Sequence, residues 1–304
     1  MRALVIGGNG FIGSSLVEVL RARGTEVAVL DPGRPRADLD WRGVDYHTGS
    51  LADSAATARA LAGVQVVFHL ASTTVPGTSN LDPLADVQGN LVATLGLLGA
   101  MRAAGVRRIV YFSSGGTVYG NPAVSPVPES HPLHPISSYG VVKVAIENYL
   151  QMYRLLGELD PVVLRPSNPY GPRQSTAGIQ GAVAAFLGAA RRGEPVRIWG
   201  DGEVVRDYLY IDDLVELAAT AGLSDATGVF NVGSGEGTSL NQLVAIIEGV
   251  IGRSLEVQYQ PGRSFDVRRI VLDLAAARTA FGWAPAVPLV QGIARTWHRL
   301  GSPP

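Results

Sequence analysis

The residues best suited to chemistry in this sequence are a tyrosine and a lysine four positions apart, Tyr139 and Lys143, at the start of a stretch with helical periodicity. Residues four apart lie on one face of a helix, so the phenol and the ammonium face the same side. A free phenol has a pKa of about 10, and its use as a base at neutral pH requires a shift of about 3 pKa units, roughly 4 kcal/mol. A neighbouring ammonium acts in that direction.

Lys143 is the only lysine among 25 basic residues. Tyrosine and lysine at this spacing usually mark a solvated helix face. With 10 tyrosines in 304 residues, however, a single lysine would fall four positions after one of them in only about 10 of 304 random placements. The spacing therefore indicates a catalytic role for the pair. Arginine would not easily replace Lys143 in this role, because its planar guanidinium is bulkier than a compact ammonium.

A glycine-rich loop near the start of the chain is typical of dinucleotide binding. The segment Gly8-Asn9-Gly10-Phe11-Ile12-Gly13 satisfies G-x-G-x-x-G between a predicted strand and a predicted helix. Glycines at these positions let backbone N–H groups approach a pyrophosphate at the positive end of the helix. The loop predicts a nicotinamide dinucleotide cofactor.

Asp31 ends the second predicted strand, about where a carboxylate bonds a ribose 2′-hydroxyl. A carboxylate there repels a 2′-phosphate, which favours NAD over NADP. Arg34 and Arg36 follow closely and could accommodate that phosphate, and Asp31 could instead form a turn before Pro32. NAD is the preferred cofactor.

Short β-branched runs alternate with longer amphipathic ones over the first 170 residues, which predicts an α/β fold with a doubly wound parallel (Rossmann) sheet. The expected strands are 3–7, 26–30, 65–70, 108–113 and 161–165, and the expected helices are 11–23, 84–104 and 137–156. A smaller C-terminal α/β part is expected to contain helices 181–192, 212–222, 240–251 and 289–300 and strands 196–199, 204–210, 229–232 and 255–259. We expect domains over 1–168 and 169–304, with segments near 204–235 able to return to the first.

Composition excludes several classes of protein. The chain has no cysteine, which removes disulfides, thiolate metal sites and cysteine nucleophiles, and its five histidines show no zinc-site spacing, so no metal is expected. A net charge of −1 with scattered basic residues argues against nucleic acid as a partner. No long apolar run or signal-peptide pattern is evident, so a cytoplasmic protein without a membrane partner is predicted.

Taken together, these motifs resemble the extended short-chain dehydrogenase/reductases, and within them the NAD-dependent nucleotide-sugar epimerases similar to UDP-glucose 4-epimerase. The resemblance spans nearly the whole chain. In chain order, its motifs are Gly7-Gly8-Asn9-Gly10-Phe11-Ile12-Gly13, Asp31, His69-Leu70-Ala71-Ser72, Asn90, Ser113-Ser114-Gly115-Gly116-Thr117-Val118-Tyr119-Gly120, Tyr139 with Lys143, Arg165-Pro166-Ser167-Asn168-Pro169-Tyr170-Gly171-Pro172-Arg173-Gln174, and Arg206-Asp207-Tyr208.

The resemblance implies two sets of binding residues, one in each part of the chain. Those expected to contact NAD are Gly7, Gly10, Phe11, Ile12, Gly13, Asp31, Leu51, Leu70, Ala71, Ser72, Asn90, Ser113, Tyr139, Lys143 and Pro166. Those expected to contact the nucleotide sugar are Asn168, Arg173, Trp199, Arg206, Tyr208, Arg263, Asp266 and Ile270. Trp199 could equally be a core aromatic, and Arg206 a surface ion pair.

The implied reaction is 4-epimerisation of a UDP-hexose, either the glucose/galactose pair or its N-acetylated counterpart. Tyr139, as phenolate, would take the proton of the sugar 4-hydroxyl while C4 passes a hydride to NAD⁺. The 4-keto sugar would turn over in the pocket and receive the hydride on its other face. Lys143 would bond the nicotinamide ribose and depress the pKa of Tyr139.

The chain departs from this family's pattern at Gly115, where a Ser or Thr hydroxyl usually helps to bond the substrate 4-oxygen; Ser114 or Thr117 is the expected substitute. Gly116-Thr117 replaces the Asp-Glu pair of related dehydratases, which argues against elimination. Ser175 follows Gln174 where uronate epimerases tend to have Arg, which favours a neutral hexose. Ile270 matches the position that limits pocket size.

Other functions stay open at this point. The same fold could host a sugar-nucleotide 4-ketoreductase or dehydrogenase, or a uronate 4-epimerase. A non-catalytic NAD-binding scaffold is a further alternative, motivated by Gly115. The resemblance also implies a homodimer through helices 84–104 and 137–156, although their apolar faces could equally be core.

Overall fold

The fold is built on a parallel sheet, and the computed structural model describes residues 1–176, 181–262 and 267–301. Its strands are β1 (Arg2–Ile6), β2 (Glu26–Asp31), β3 (Asp45–Thr48), β4 (Val66–His69), β5 (Arg108–Phe112), β6 (Asp160–Pro166), β7 (Asn168–Tyr170), β8 (Val196–Trp199), β9 (Val205–Tyr210), β10 (Gly228–Val232), β11 (Gly237–Ser239) and β12 (Val257–Gln260). Its α-helices are α1 (Phe11–Ala22), α2 (Ser54–Ala60), α3 (Pro83–Asp86), α4 (Ala93–Ala103), α5 (Ser138–Leu155), α6 (Ala182–Arg192), α7 (Ile211–Leu223), α8 (Leu240–Ile251), α9 (Ala275–Phe281) and α10 (Leu289–Leu300).

The main sheet has the strand order β10-β6-β5-β4-β1-β2-β3 within the described residues. All neighbouring pairs from β3 to β6 are parallel. Strand β1 is buried from Ala3 to Ile6 because helices cover both faces of such a sheet. The order reverses between β1 and β4, and the carboxyl ends of parallel strands next to such a reversal form the crevice in which ligands bind. The predicted doubly wound fold is confirmed.

The chain divides into two compact units that are not separated by a single cut. The first contains Met1–Val118, Pro135–Arg165 and Val215–Phe230, and the second contains Tyr119–His134, Pro166–Leu214 and Asn231–Pro304. The chain returns to the first unit because β10 neighbours β6 in the main sheet. A division at 168/169 therefore misses two exchanged segments, of which the one near 215–230 falls inside the anticipated 204–235 region.

Two small sheets occur in the rest of the described chain. One has the order β11-β9-β7, and the other pairs β12 with β8. Strand β9 is antiparallel to β11 and parallel to β7, with Asn168 opposite Tyr208 in the latter register. This register brings two predicted substrate residues to neighbouring strands.

The helix predicted over 84–104 is interrupted. A π-helical segment, Val87–Val92, separates α3 from α4. A π turn widens the helix by one residue and is frequent at functional sites, and a pattern of period 3.6 does not reveal it. Asp86 precedes this wide turn and Asn90 lies within it, and Asn90 Nδ2 donates to Asp86 Oδ1 at 2.8 Å.

The same stretch, Pro83–Ala103, is long and apolar enough to cross a membrane by length and composition alone, with a mean hydropathy of 1.2. In the structure, however, Leu97, Leu98 and Met101 are buried in the hydrophobic core of the sheet. A carboxylate at Asp86 is also fully buried inside the fold. The stretch is therefore a packed layer of the first unit.

Candidate active site

Tyr139 lies in the first turn of α5, and side chains hold the backbone of that turn in place. Ser137 caps the helix by accepting a hydrogen bond from Gly140 N at 3.2 Å. Ser138 N donates to Asn80 Oδ1 at 2.7 Å, and Tyr139 N donates to Ser79 Oγ at 3.1 Å. These contacts satisfy N–H groups that have no partner inside the helix.

Lys143 lies one turn further along α5 and is buried. Its Nζ donates to Phe112 O, at the end of β5, at 2.7 Å. The same nitrogen lies 4.8 Å from the centre of the Tyr111 ring and 5.4 Å from the centre of the Tyr139 ring, distances at which a cation is attracted to an aromatic face. The predicted tyrosine–lysine pair therefore meets inside the protein and is not a solvated helix face.

Burial shifts the pKa values of both members of the pair. Burial lowers the pKa of Lys143 to about 8, although the negative charges of Glu147 and Asp86 raise it. Burial raises the pKa of the Tyr139 phenol to about 12, and the charge of Asp86 adds to the rise. Burial and Asp86 thus raise the pKa of Tyr139, whereas the use of this phenol as a base requires a lower pKa. A positively charged nicotinamide ring beside the phenol would act in the required direction.

Asp86 is a functional candidate that sequence reasoning missed. It is fully buried at the end of α3, and its carboxylate accepts hydrogen bonds from Thr74 Oγ1 at 2.7 Å, Asn90 Nδ2 at 2.8 Å and Ser138 Oγ at 2.6 Å. The available signal was an acidic residue four positions before Asn90 in an apolar helix. Such a residue is rarely buried without a specific reason.

A small cavity brings these groups together. Its lining consists of His69, Ala71, Ser72, Asp86, Asn90, Thr94, Tyr111, Tyr139, Val142, Lys143 and Ile146. Burial and the charge of Lys143 lower the pKa of His69 to about 3, so this imidazole is neutral at physiological pH. The cavity holds a phenol, an ammonium and a carboxylate within one unit.

Glu147, one helical turn after Lys143 on α5, forms a buried ion pair with Arg165. Arg165 Nε lies 3.1 and 3.2 Å from the two carboxylate oxygens of Glu147, and the guanidinium Nη2 also bonds Oε2. Ser113 Oγ donates to Glu147 Oε1. Ser113, predicted to contact NAD, thus has its hydroxyl engaged in this structural network. Sequence reasoning also missed Glu147, although it follows Lys143 by one helical turn.

The glycine-rich loop has the geometry that its spacing predicts. Gly7 has a φ of +83°, and a Cβ on Gly13 would lie only 2.1 Å from Gly7 O. No side chain caps α1 at Gly10, so the backbone N–H groups of Phe11 and Ile12 form the positive end of the helix. No side chain fits at Gly13, and this close backbone packing is the cradle that a pyrophosphate requires.

Asp31 is at the end of β2, as predicted. Its carboxylate accepts hydrogen bonds from Asn9 N at 3.1 Å and Gly33 N at 2.8 Å. It therefore orders the glycine loop and the turn after β2. A carboxylate has about four acceptor positions, so two further hydrogen bonds to ribose hydroxyls are possible.

Other predicted cofactor residues follow the carboxyl ends of the strands. Leu70, Ala71 and Ser72 come directly after β4, and Leu51 packs against the core after β3. Asn90 Oδ1 accepts from Thr73 N at 2.8 Å, which fixes the segment after β4. Pro166 is the last residue of β6.

Ser114 and Thr117, whose hydroxyls are proposed to replace the one missing at Gly115, lie in one tight turn. In this turn the backbone carbonyl of Ser114 accepts hydrogen bonds from Thr117 N and Val118 N, at 3.2 and 3.1 Å. Thr117 Oγ1 is buried and has no hydrogen-bond partner among the described residues. This turn packs against α5, because a Cβ on Gly140 would lie 3.1 Å from Thr117 O. Both candidates are thus held near the start of α5.

Several predicted substrate residues cluster around β9 in the second unit. Asn168 Nδ2 donates to Asp207 O at 3.1 Å, Arg206 Nη1 donates to Val205 O and Val267 O, and Ile270 N donates to Val205 O. The Tyr208 hydroxyl is buried and unbonded within the described residues, and burial raises its pKa.

The remaining predicted substrate residues are less closely grouped. Arg173 has a φ of +72°, a backbone conformation that side chains other than glycine rarely adopt. Trp199 ends β8 with 42% of its surface exposed, so it is not a core aromatic. Arg263 and Asp266 lie outside the described residues.

A search of the described ranges finds no group of three or more acidic or histidine side chains that could hold a metal ion.

Comparison with known proteins agrees with this geometry. Residues 3–233 match the sequence pattern of the NAD dependent epimerase/dehydratase family. The chain belongs to this family. NAD is accordingly its cofactor, and the glycine loop, Asp31 and Lys143 are the residues that fit it.

Relatives and solved structures in this family cover nearly the whole chain. A UDP-glucose 4-epimerase of Mycolicibacterium smegmatis is 42% identical over 310 residues, which are 97% of each protein. The crystal structure of a Thermotoga maritima UDP-glucose 4-epimerase with UDP-glucose superimposes with a TM-score of 0.94 at 38% identity, over 99% of this chain and 98% of that one.

A Methanobrevibacter ruminantium UDP-N-acetylglucosamine 4-epimerase in complex with UDP-N-acetylmuramic acid superimposes with a TM-score of 0.91 at 28% identity, over 98% and 97% of the two chains. The solved relatives of this fold thus include enzymes for both plain and N-acetylated sugars.

Proposed function

We propose that this protein interconverts the C4 epimers of a UDP-hexose. The observation that carries the proposal is the close pair of half-buried Tyr139 and buried Lys143 in a member of an NAD-dependent family. The UDP-glucose 4-epimerase of Mycolicibacterium smegmatis, at 42% identity over 97% of each chain, supports the same activity.

Bound NAD supplies an acceptor, and later a donor, for the hydride at C4 of the sugar. Tyr139 accepts the proton of the 4-hydroxyl as C4 is oxidised to a ketone, and returns it when the ketone is reduced on its other face. Lys143 keeps a positive charge beside the Tyr139 ring and is anchored by Phe112 O. Ser114 and Thr117 are the hydroxyls available to bond the 4-oxygen.

The second unit contributes the groups expected to bind the nucleotide diphosphate. Arg206 and Arg173 carry guanidinium forks that suit phosphate oxygens. Asn168, Trp199, Tyr208, Arg263, Asp266 and Ile270 complete the proposed substrate set. Ser175 in place of an arginine favours a neutral hexose over a uronate.

A panel of UDP-sugars tests this proposal. Purified protein with NAD is incubated separately with the gluco and galacto forms of UDP-hexose, UDP-N-acetylhexosamine and UDP-hexuronate, and the anomeric NMR signals are followed. Conversion of a neutral pair without net change in reduced nicotinamide is expected. Net consumption of reduced cofactor would instead identify a ketoreductase, and NAD binding without turnover of any sugar would identify a scaffold.

We further propose a homodimer that works in the cytoplasm. An apolar stripe of the first unit is exposed on α5, at Val141, Tyr149, Met152 and Leu155, and Leu155 has 74% of its surface exposed. Such a continuous stripe is typical of an interface.

Leu155→Glu tests the dimer. It should shift the molecular mass measured by light scattering from dimer to monomer. Leu223→Glu, which charges an exposed leucine at the end of α7, is the matched control and should not change the mass. A wild-type protein that is already monomeric would contradict the dimer.

A further inference from the structure

We infer that Asp86 is a positioning residue of the active site, whose buried carboxylate fixes the start of α5 through Ser138 and lines the same pocket as Tyr139 and Lys143. This inference deepens the proposed function and rests on it for its kinetic test. It concerns a residue that lies outside the tyrosine–lysine motif and the glycine loop.

The hydrogen bonds of Asp86 suit a carboxylate. The Asn90 amide donates to it, and the Thr74 and Ser138 hydroxyls lie within donating distance of its two oxygens. Its negative charge raises the pKa of both Tyr139 and Lys143. Asp86 thus places this charge in the wall of the pocket.

The contact with Ser138 ties this charge to the catalytic tyrosine. Ser138 immediately precedes Tyr139, and the segment from Ser79 to Asp86 holds both residues. Besides the bond from Ser138 Oγ to Asp86, it accepts the backbone N–H groups of Ser138 and Tyr139 through Asn80 and Ser79. Three hydrogen bonds from one segment thus fix the direction in which the Tyr139 side chain leaves the helix.

The other titratable groups around Tyr139 are neutral or neutralised, so Asp86 and Lys143 are the two charges that act on its phenol. On α5, Glu147 is neutralised by Arg165 of β6. On β4, His69 is uncharged, because burial lowers its pKa to about 3. On β5, burial raises the pKa of Tyr111, which keeps this phenol neutral.

Asp86 and Lys143 carry opposite charges, so the negative charge of Asp86 opposes the effect of the ammonium on Tyr139. The phenol therefore stays neutral against the protein's own charges and ionises when a further positive charge enters the pocket. Such a phenol is ionised beside an oxidised, positively charged cofactor, where it can take the proton of the sugar 4-hydroxyl, and stays protonated beside a reduced, neutral one. An epimerase needs this reversal, because Tyr139 must take a proton in one half of the reaction and return it in the other.

Asp86→Asn tests the electrostatic part of the inference. Asparagine keeps the size of the side chain and removes its charge. Because a negative charge disfavours a phenolate and favours an ammonium, its loss lowers the pKa of both Tyr139 and Lys143. The acidic and basic limbs of the kcat profile should both move to lower pH, the acidic one by about one unit. Near-ultraviolet titration of the phenolate in the NAD⁺-loaded variant should show the same shift without requiring turnover.

Ser138→Ala tests the positioning part. It removes the contact with Asp86 and keeps the charge, so kcat should fall about tenfold while the limbs of the pH profile stay where they are. This variant also keeps the inference testable if Asp86→Asn fails to fold. An unchanged kcat would overturn the positioning role.

Asp82→Asn is the matched control, since Asp82 caps α3 from an exposed position four residues away. The acidic and basic limbs of its kcat pH profile should match those of the wild type. The inference would be overturned if the limbs of the Asp86→Asn profile stay at the wild-type pH, or if those of the Asp82→Asn profile shift equally. A wild-type protein that epimerises no UDP-sugar would instead contradict the proposed function, and the phenolate titration would still decide the role of Asp86.

Discussion

Lys143 Nζ donates a hydrogen bond to Phe112 O at 2.7 Å, across the space between α5 and the end of β5. The ammonium is also enclosed between the rings of Tyr111 and Tyr139. These three contacts fix the position of a compact ammonium, and a larger planar head group could not reproduce them all. The structure thus gives a physical reason why a chain that otherwise uses arginine retains one lysine.

Lys143→Arg should therefore inactivate the protein. The planar guanidinium is larger than an ammonium and cannot donate to Phe112 O from the same position without displacing a ring. We expect kcat to fall at least 100-fold, about 3 kcal/mol in the activation barrier, in the NMR assay with the best UDP-sugar. A variant with more than a tenth of wild-type activity would contradict this account.

The basic limb of the activity profile should reflect Lys143. Burial lowers its pKa to about 8, so the ammonium is present below that pH and is lost above it. We expect kcat to decline above about pH 8, whereas the thermal midpoint should not fall over the same range, because a lysine whose pKa is lowered by folding destabilises the protein less once it loses its proton. A rate that continues to rise well beyond this pH would show that the charge on Lys143 is not required.

The buried pair of Glu147 and Arg165 should contribute to stability. Glu147→Gln leaves the guanidinium of Arg165 without a counter-charge in the interior, which typically costs about 3 kcal/mol or more. The measurement is the urea midpoint of unfolding. Glu147→Met combined with Arg165→Met removes both charges and should recover most of the loss; a double variant no more stable than Glu147→Gln would contradict this explanation.

Gly13→Ala should weaken NAD binding, because the added methyl group would lie 2.1 Å from Gly7 O and force the loop apart. We expect an affinity for NAD at least tenfold lower by calorimetry. The control is Gly249→Ala in α8, where no atom lies within 4 Å of the new methyl group; it should bind NAD normally and be slightly more stable.

The parts of the fold that were predicted from sequence are those with a strong local pattern. The buried strands β1, β2, β4, β5 and β6 have continuous apolar runs, and the glycine loop has a fixed spacing. Strand β3 and helix α2 were missed because each is short. Strand β3 has the polar edge sequence Asp45–Thr48, and α2 has only seven residues, with a cap at Asp53 that accepts from Ala56 N at 3.0 Å.

The site was less predictable, because its missing members act through tertiary contacts. Asp86 carries no motif, and its importance depends on the π-helical turn that directs it and Asn90 to one pocket. Glu147 is indistinguishable from a surface acid until Arg165 and Ser113 are seen to surround it. The pKa of Tyr139 likewise depends on burial and on Asp86, neither of which is visible in the spacing of Tyr139 and Lys143.

The ionisation of Tyr139 in the loaded protein tests the central claim most directly. Near-ultraviolet titration is carried out on the NAD⁺-loaded and NADH-loaded forms, with Tyr139→Phe as the blank. We predict that the pKa of Tyr139 falls from about 12 toward neutrality with NAD⁺ and stays high with NADH. A pKa of about 12 in both forms would contradict Tyr139 as the base of this enzyme.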